Sequence, residues 1–445
     1  MAHMSIRALN AHNLQSLRSS PLAEISGSLG DLGTLLPLMI ALALQGSISL
    51  SSTLVFSGLA NILTGIFFGV PLPVQPMKAI AAVAISRSMT RGETASAGLF
   101  VAGVVFLFSA TGLLRWFTRV IPTPVVKGIQ VGAGLSLILS AGSSLLQPLG
   151  WVRPSWADNL PWAIFAFVVL LLTTQFRRFP YALFIFILGV VFSFIVMATD
   201  HEKHHYPYLR VWHPSVQVPT PKEFRVGALD AGLGQLPLTT LNSIIAVSYL
   251  SADLLPELPT PTTTALGFSV AGMNLVGCWF GAMPVCHGSG GLAGQYKFGA
   301  RSGASIILLG AFKLILGLVF GESLVYVLKS FPKSLLGIMV IAAGLELAKV
   351  GESLNFEARD LWEVSGGGGE EGQEAPKRVR QPSEEERQQR WATMLMTVGG
   401  LLAFRNDAVG FVAGMLCHWS FRIPEWSQRW GRSTRRGGEQ EPLLA

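Results

Sequence analysis

The sequence predicts an all-α polytopic membrane protein of fourteen membrane segments, arranged as two inverted repeats of seven with broken half-helices at segments 3 and 10. Three observations lead there. Of the 445 residues 50% are hydrophobic and only 13% charged, with a mean hydropathy of +0.48, whereas soluble domains carry roughly 25% charged residues. Apolar runs near the roughly 20 residues that cross a bilayer recur along almost the whole chain. Two stretches also echo each other, Phe68 to Ile85 (FGVPLPVQPMKAIAAVAI) and Phe280 to Gly303 (FGAMPVCHGSGGLAGQYKFGARSG).

In each echo an apolar segment ends in Phe-Gly, prolines follow, and a small-residue helix begins that is too short to span. An unpaired backbone group in hydrocarbon costs several kcal/mol, so an interrupted helix persists only when buried in protein or lining a wet cavity. One such break is read equally well as a proline kink in a packing helix. Two in register point to a binding site near the bilayer midplane.

The net charge of +7 and the pI of about 9.5 come from basic residues scattered through loops and tails. That is ordinary for membrane topology and implies no nucleic-acid partner. Cys278, Cys286 and Cys417 lie in apolar surroundings and form no disulfide framework. Residues Met1 to Ser20 are polar and contain no signal peptide.

Taken in order, the chain divides into an N-terminal tail (1–22), a first repeat (23–199), an inter-repeat loop (200–226), a second repeat (227–422) and a C-terminal tail (423–445). The first repeat holds segments at Ile25 to Leu44, Ser49 to Gly69, Pro71 to Ser86, Ala95 to Phe117, Pro124 to Leu139, Pro161 to Gln175 and Tyr181 to Ala198. The second holds Gly227 to Leu250, Thr262 to Phe280, the second echo, Ser302 to Phe320 and Pro332 to Ala348. A charged, glycine-rich loop (351–390) follows, then a short final pair, Trp391 to Phe404 and Ala408 to Ser420. Gly30 matches Gly234 at an offset of 204, Pro73 matches Pro284 at 211, and Pro122 matches Pro332 at 210. An odd number of spans per repeat inverts the second copy. The Lys/Arg excess falls on the side that holds both termini, which places the termini in the cytoplasm.

Offset 211 superposes Gln75, Pro76, Met77 and Lys78 on Cys286, His287, Gly288 and Ser289, at the start of each half-helix. Free N–H groups and the positive dipole end favour an anion there, by roughly 0.3 to 2 kcal/mol per terminus. Lys78 adds a charge that at membrane depth must face water or a partner; snorkelling, or pairing with Asp31 or Glu346, is its structural alternative. His287 is placed to donate to an oxyanion, to carry a proton or to cap the helix. On the crossing spans Asp31 and Thr34 correspond to Gln235 and Leu238, with Thr239 and Asn242 one and two turns beyond Gln235. These polar groups either complete a cavity or join helices. Asp31, His287 and Glu346 are the candidates for proton coupling. The run Gly366 to Gly369 lacks the Lys-Ser/Thr of a phosphate loop, and no HExxH or other catalytic constellation occurs. The sequence therefore implies no enzyme, cofactor or resident metal.

PLPVQPMKAIAAVAI and FGAMPVCHGSGGLAGQYKFGARSG resemble the two signatures of the eukaryotic molybdate transporter family, a branch of the sulfate permease superfamily, and the resemblance covers about Ala23 to Arg422. It implies a seven-plus-seven fold like that of uracil permeases. Segments 1–4 and 8–11 would form a core domain and the rest a gate domain. Molybdate, the only form in which molybdenum is implied, would be bound between half-helices 3 and 10 by Gln75, Met77, Lys78, Cys286, His287, Gly288 and Ser289, with Asp31, Thr34 and Gln235 nearby. The C-terminal regulatory domain usual in the superfamily is not expected after the last span. The same resemblance implies alternating access and a homodimer embedded in membrane lipid. The tail EQEPLLA places Glu439 before Leu443 and Leu444 in an acidic dileucine pattern, read by sorting adaptors for a vacuolar membrane; the plasma membrane is the alternative. A sulfate or broad oxyanion permease, or a passive anion channel on the same fold, are the competing functions.

Overall fold

The computed structural model of the chain describes residues 4–175, 179–199, 206–356, 358–364 and 377–436. The glycine run Gly366 to Gly369 and the terminal Glu439, Leu443 and Leu444 lie outside them.

The stretch expected to be a tail folds as a helix, α1 (Ile6–Ser19), capped by the Ser5 hydroxyl, which accepts from the Ala8 N–H. The first apolar segment is two helices, α2 (Pro21–Ser28) and α3 (Leu32–Leu44), parted at Leu29-Gly30-Asp31. Here Gly30 lies so near the second half of the chain that a Cβ would stand 2.5 Å from the Gly294 carbonyl oxygen. The second segment, α4 (Leu50–Phe68), ends at Gly69 with φ 67°, the left-handed stop that glycine adopts without strain. A three-residue strand, β1 (Val74–Pro76), leads into α5 (Lys78–Arg87). After these come α6 (Arg91–Ala110), α7 (Leu113–Val120), α8 (Thr123–Ala141), α9 (Leu160–Gln175) and α10 (Tyr181–Thr199).

The second half opens with α11 (Pro221–Val226), α12 (Leu233–Leu238) and α13 (Val247–Leu254), joined by the π-helical stretches Gly227–Gly232 and Thr239–Ala246. Pro237 within α12 has no N–H to give to the ladder, and a widened π turn is one way a helix absorbs such a break. Next are α14 (Thr263–Gly277), the strand β2 (Val285–His287), α15 (Ser289–Lys297), α16 (Ala304–Val319), α17 (Val325–Lys329) and α18 (Lys333–Lys349). The charged loop carries the short pair β3 (Trp362–Val364) and β4 (Lys377–Val379). The final pair is longer than the apolar runs suggest, α19 (Glu384–Phe404) and α20 (Asp407–Arg436), because polar turns continue both helices.

Among the described residues seven helices are long and apolar enough to cross a membrane, and the pair Ala304–Val319 and Gly321–Lys329, bent by 109°, makes an eighth if it is one span. α4 packs along α16, α6 along α14, and α8 along α18. Glycines set the approach: a Cβ at Gly58 would lie 2.7 Å from the Gly310 carbonyl oxygen, and one at Gly134 would lie 2.6 Å from that of Gly344. Small residues let backbones meet where lipid removes the hydrophobic drive between helices. At the centre β1 and β2 pair antiparallel, with Val74 opposite His287, Gln75 opposite Cys286 and Pro76 opposite Val285.

Candidate functional site

The paired strands satisfy each other only in part, and buried asparagines complete them. Asn61 on α4 accepts from the Val74 N–H at 2.8 Å. Asn274 on α14 accepts from the Val285 N–H at 2.7 Å and donates to the Val285 carbonyl at 2.6 Å. Backbone at this depth must find such partners. The sequence reading missed both residues, although Asn61 and Asn274 lie 213 apart, near the offset that relates the two echoes.

Gln75 sits on β1 between the two halves. Its side-chain amide donates to the Asp31 carboxylate, which also accepts from the Thr34 hydroxyl. Asp31, Thr34 and Gln75 thus form one cluster, with Asp31 and Gln75 buried. The same Gln75 side chain fills the space where a Cβ on Gly288 or Gly291 would stand, so it lies directly against the start of α15. Both glycines are needed for that approach.

The starts of α5 and α15 differ. At α5 the Gln235 side-chain oxygen accepts from the N–H groups of Ala79 at 2.9 Å and Ile80 at 3.4 Å, while the Met77 N–H goes to the Pro284 carbonyl at 2.9 Å. Free N–H groups are expected at this terminus; Gln235 takes two of them as a side-chain cap. At α15 the N–H groups of Ser289, Gly290 and Gly291 make no hydrogen bond to the described residues. The open terminus is the second one.

Around it, Ser289 donates to Asn242, and Ser243 donates to the Cys286 sulfur at 3.2 Å. Met77 is buried, and Gly288 caps α15. The His287 Nε2 meets the Ser269 hydroxyl at 3.0 Å, which ties β2 to α14, while its buried Nδ1 has no hydrogen-bond partner among the described residues. Lys78 is the first residue of α5, half-buried, and has no ion pair or side-chain hydrogen bond among the described residues. Its charge is within electrostatic reach of Asp31, Cys286 and Asp407. Glu346 is not in this cluster. It pairs with Lys297 at 3.4 Å, at the far end of α15.

Sequence reasoning also passed over Lys313 on α16, which is 4% exposed and whose ammonium makes no hydrogen bond to the described residues. A lone cation in the apolar run AFKLILGLVF was its visible signal. Leaving Lys313 aside, the arrangement offers an anion the three backbone donors at α15 and the unpaired Lys78 ammonium at α5. Among the described residues no group of His, Cys, Asp and Glu could hold a metal ion.

Known proteins place this architecture. The transmembrane domain of the cyanobacterial bicarbonate transporter BicA superposes with a TM-score of 0.52 at 13% identity, covering 88% of this chain and 96% of that one. The structure of SLC26A9 gives a TM-score of 0.54 at 13% identity and covers 90% of this chain, which spans 66% of SLC26A9. At that identity the likeness is one of fold. In sequence the chain is 40% identical to Molybdate transporter 2 of Arabidopsis thaliana over 75% of its length and 79% of the relative's. It is 39% identical to Molybdate transporter 1 of the same plant over 93% and 90%. With Molybdate transporter 1 of Chlamydomonas reinhardtii the identity is 30% over 94% and 95%. These relatives are named as transporters and none as an enzyme. The profile described as "Molybdate transporter of MFS superfamily" matches residues 23–137 and 227–347, the stretches that carry β1 with α5 and β2 with α15, and the chain belongs to this family of molybdate transporters.

Proposed function

We propose that the protein moves molybdate across a membrane by alternating access, holding the oxyanion between the starts of α5 and α15. The observation that carries this reading is the open terminus of α15, with Gln75 laid against it and the unpaired Lys78 in reach of the same cluster. Molybdate is a tetrahedral dianion at neutral pH. Backbone N–H groups at a helix start and one ammonium are donors suited to it.

A seven-plus-seven inverted repeat is part of the proposal, and two features support it. Gln75 pairs across the strands with Cys286, its own equivalent at offset 211; a residue paired with its own copy lies on a two-fold axis. Exchanging the halves also turns the α4–α16 packing into that of α14 on α6, and returns α8–α18 to itself. The core, segments 1–4 and 8–11, would then carry the anion past a gate built from the rest. A homodimer, cytoplasmic termini and delivery to the vacuolar membrane by adaptors that read the tail belong to the same reading.

Calorimetry on the purified protein tests it, with molybdate titrated alone and against sulfate, on the wild type and Lys78→Ala. Binding that sulfate barely displaces, weakened about tenfold by the substitution (~1.4 kcal/mol), is the expected result. Equal affinity for both anions would make it a general oxyanion permease. Current through the protein that does not saturate with anion concentration would make it a channel.

A further inference from the structure

Lys313 has no part in the site as described so far. A charge at membrane depth costs from about 3 to above 10 kcal/mol and is kept where it pairs or faces a polar path. Yet the Lys313 ammonium is buried without a hydrogen bond or ion pair among the described residues. Its position on α16 shows where it acts. Gly303, Gly310 and Gly317 meet α4, while Ser302, Ser305, Leu309 and Lys313 form the neighbouring buried stripe. At one end of that stripe Ser302 donates to Glu24 of α2 at 3.0 Å, and Ser305 to Gln295 of α15 at 2.9 Å. Gln295 also donates to the Ser28 carbonyl at 3.4 Å, so α2 runs from Glu24 beside Ser302 to Ser28 on the Gln295 that Ser305 meets; two turns beyond Ser305, Lys313 continues the stripe. The charges of Lys313 and Asp31 are within reach of each other, although the carboxylate takes its hydrogen bonds from Thr34 and Gln75.

We propose, on the oxyanion site read above, that Lys313 is a second cationic determinant of that site, acting from behind Asp31 to favour doubly charged over singly charged tetrahedral anions. Formal charge makes the argument. With Lys78, Asp31 and Asp407 alone the site carries one net negative charge, and a dianion brought into it is opposed. Lys313 brings the site to neutrality, and by Coulomb's law a dianion gains twice what a monoanion of the same shape gains from that added charge. Lys313 touches no ligand in this scheme; it is a positioning charge. A purely structural lysine would instead be replaceable by an apolar residue of similar length without changing which anion is preferred.

The test is calorimetry on the purified protein with molybdate and with perrhenate, a tetrahedral monoanion. The variants are Lys313→Met, which keeps length without charge, and Lys313→Arg, which keeps charge. The expected result is a loss of about tenfold or more in molybdate affinity for Lys313→Met, a clearly smaller loss for perrhenate, and near-wild-type values for Lys313→Arg. Unchanged molybdate binding by Lys313→Met, an equal loss for both anions, or an arginine variant as weak as the methionine one would each overturn the assignment. If Lys313→Met does not fold, Lys313→Gln takes its place in the same comparison. A wild-type protein that binds neither anion would overturn the oxyanion site itself, and the role of Lys313 with it.

Discussion

Gln75 is the residue on which the two halves of the chain meet. Its amide reaches Asp31 from β1, and its side chain occupies the space that Gly288 and Gly291 leave open at α15. A methyl group at position 291 therefore displaces Gln75 from the carboxylate. We predict that Gly291→Ala lowers molybdate uptake about tenfold or more, that Gln75→Ala does the same, and that the double variant is no worse than either, since residues sharing one contact do not add. Losses that multiply in vesicle uptake would mean the two positions act separately. Asp31, Thr34 and Gln75 were legible in the sequence because glycines and prolines mark the breaks that present them. Asn61, Asn274 and Lys313 were not, because a single polar residue inside an apolar helix has no motif around it. What it does depends on the neighbour it faces, and that is a property of packing.

The elements show the same division. Apolar run length found the long helices, and the Phe-Gly and proline punctuation marked where β1 with α5 and β2 with α15 begin. Composition hid α1, whose polar residues look like a solvated tail. Asn13 instead donates to the Gly65 carbonyl at 3.0 Å and accepts from the Gly303 N–H at 2.9 Å, so this helix clamps the ends of α4 and α16. Strands of three residues are equally invisible to periodicity, and their persistence rests on the asparagines. Asn274 holds both backbone groups of Val285, whereas Asn61 holds only the Val74 N–H. Each buried group left unsatisfied costs about 1–3 kcal/mol. Asn274→Ala should therefore lower the unfolding temperature in detergent more than Asn61→Ala, and both should reduce uptake. Equal melting shifts would show that the strands are held by their own pairing.

At the scale of the whole molecule, a core that slides past a gate must break the polar contacts that join them. Two are well placed to be broken. Lys127 of α8 reaches Asp253 of α13 at 2.6 Å, and one turn on, Gln130 donates to the Ala246 carbonyl at 2.9 Å; Lys127 also donates to the Ser353 hydroxyl, beyond α18 on its own side, at 2.9 Å. The Lys127 side chain is 1% exposed, so its pairing is of the buried kind whose loss leaves an uncompensated charge. In the proposed division α13 belongs to the core and α8 to the gate, and these bonds would hold the present conformation closed on their side. A fixed link at the same place should then stop turnover without touching the anion site. We predict that Lys127→Cys with Asp253→Cys, joined by a thiol-cleavable bis-methanethiosulfonate spacer, abolishes molybdate uptake into vesicles and leaves calorimetric molybdate binding within about twofold of the uncoupled variant. Reduction should restore uptake. The native thiols interfere little, since Cys278 and Cys286 are buried, and Cys417, which is partly exposed, can be changed to serine. Uptake that continues through the intact link would mean that these helices do not move apart during transport, and the boundary between core and gate would have to be drawn elsewhere. Loss of binding together with uptake would place the link within reach of the site rather than at the boundary.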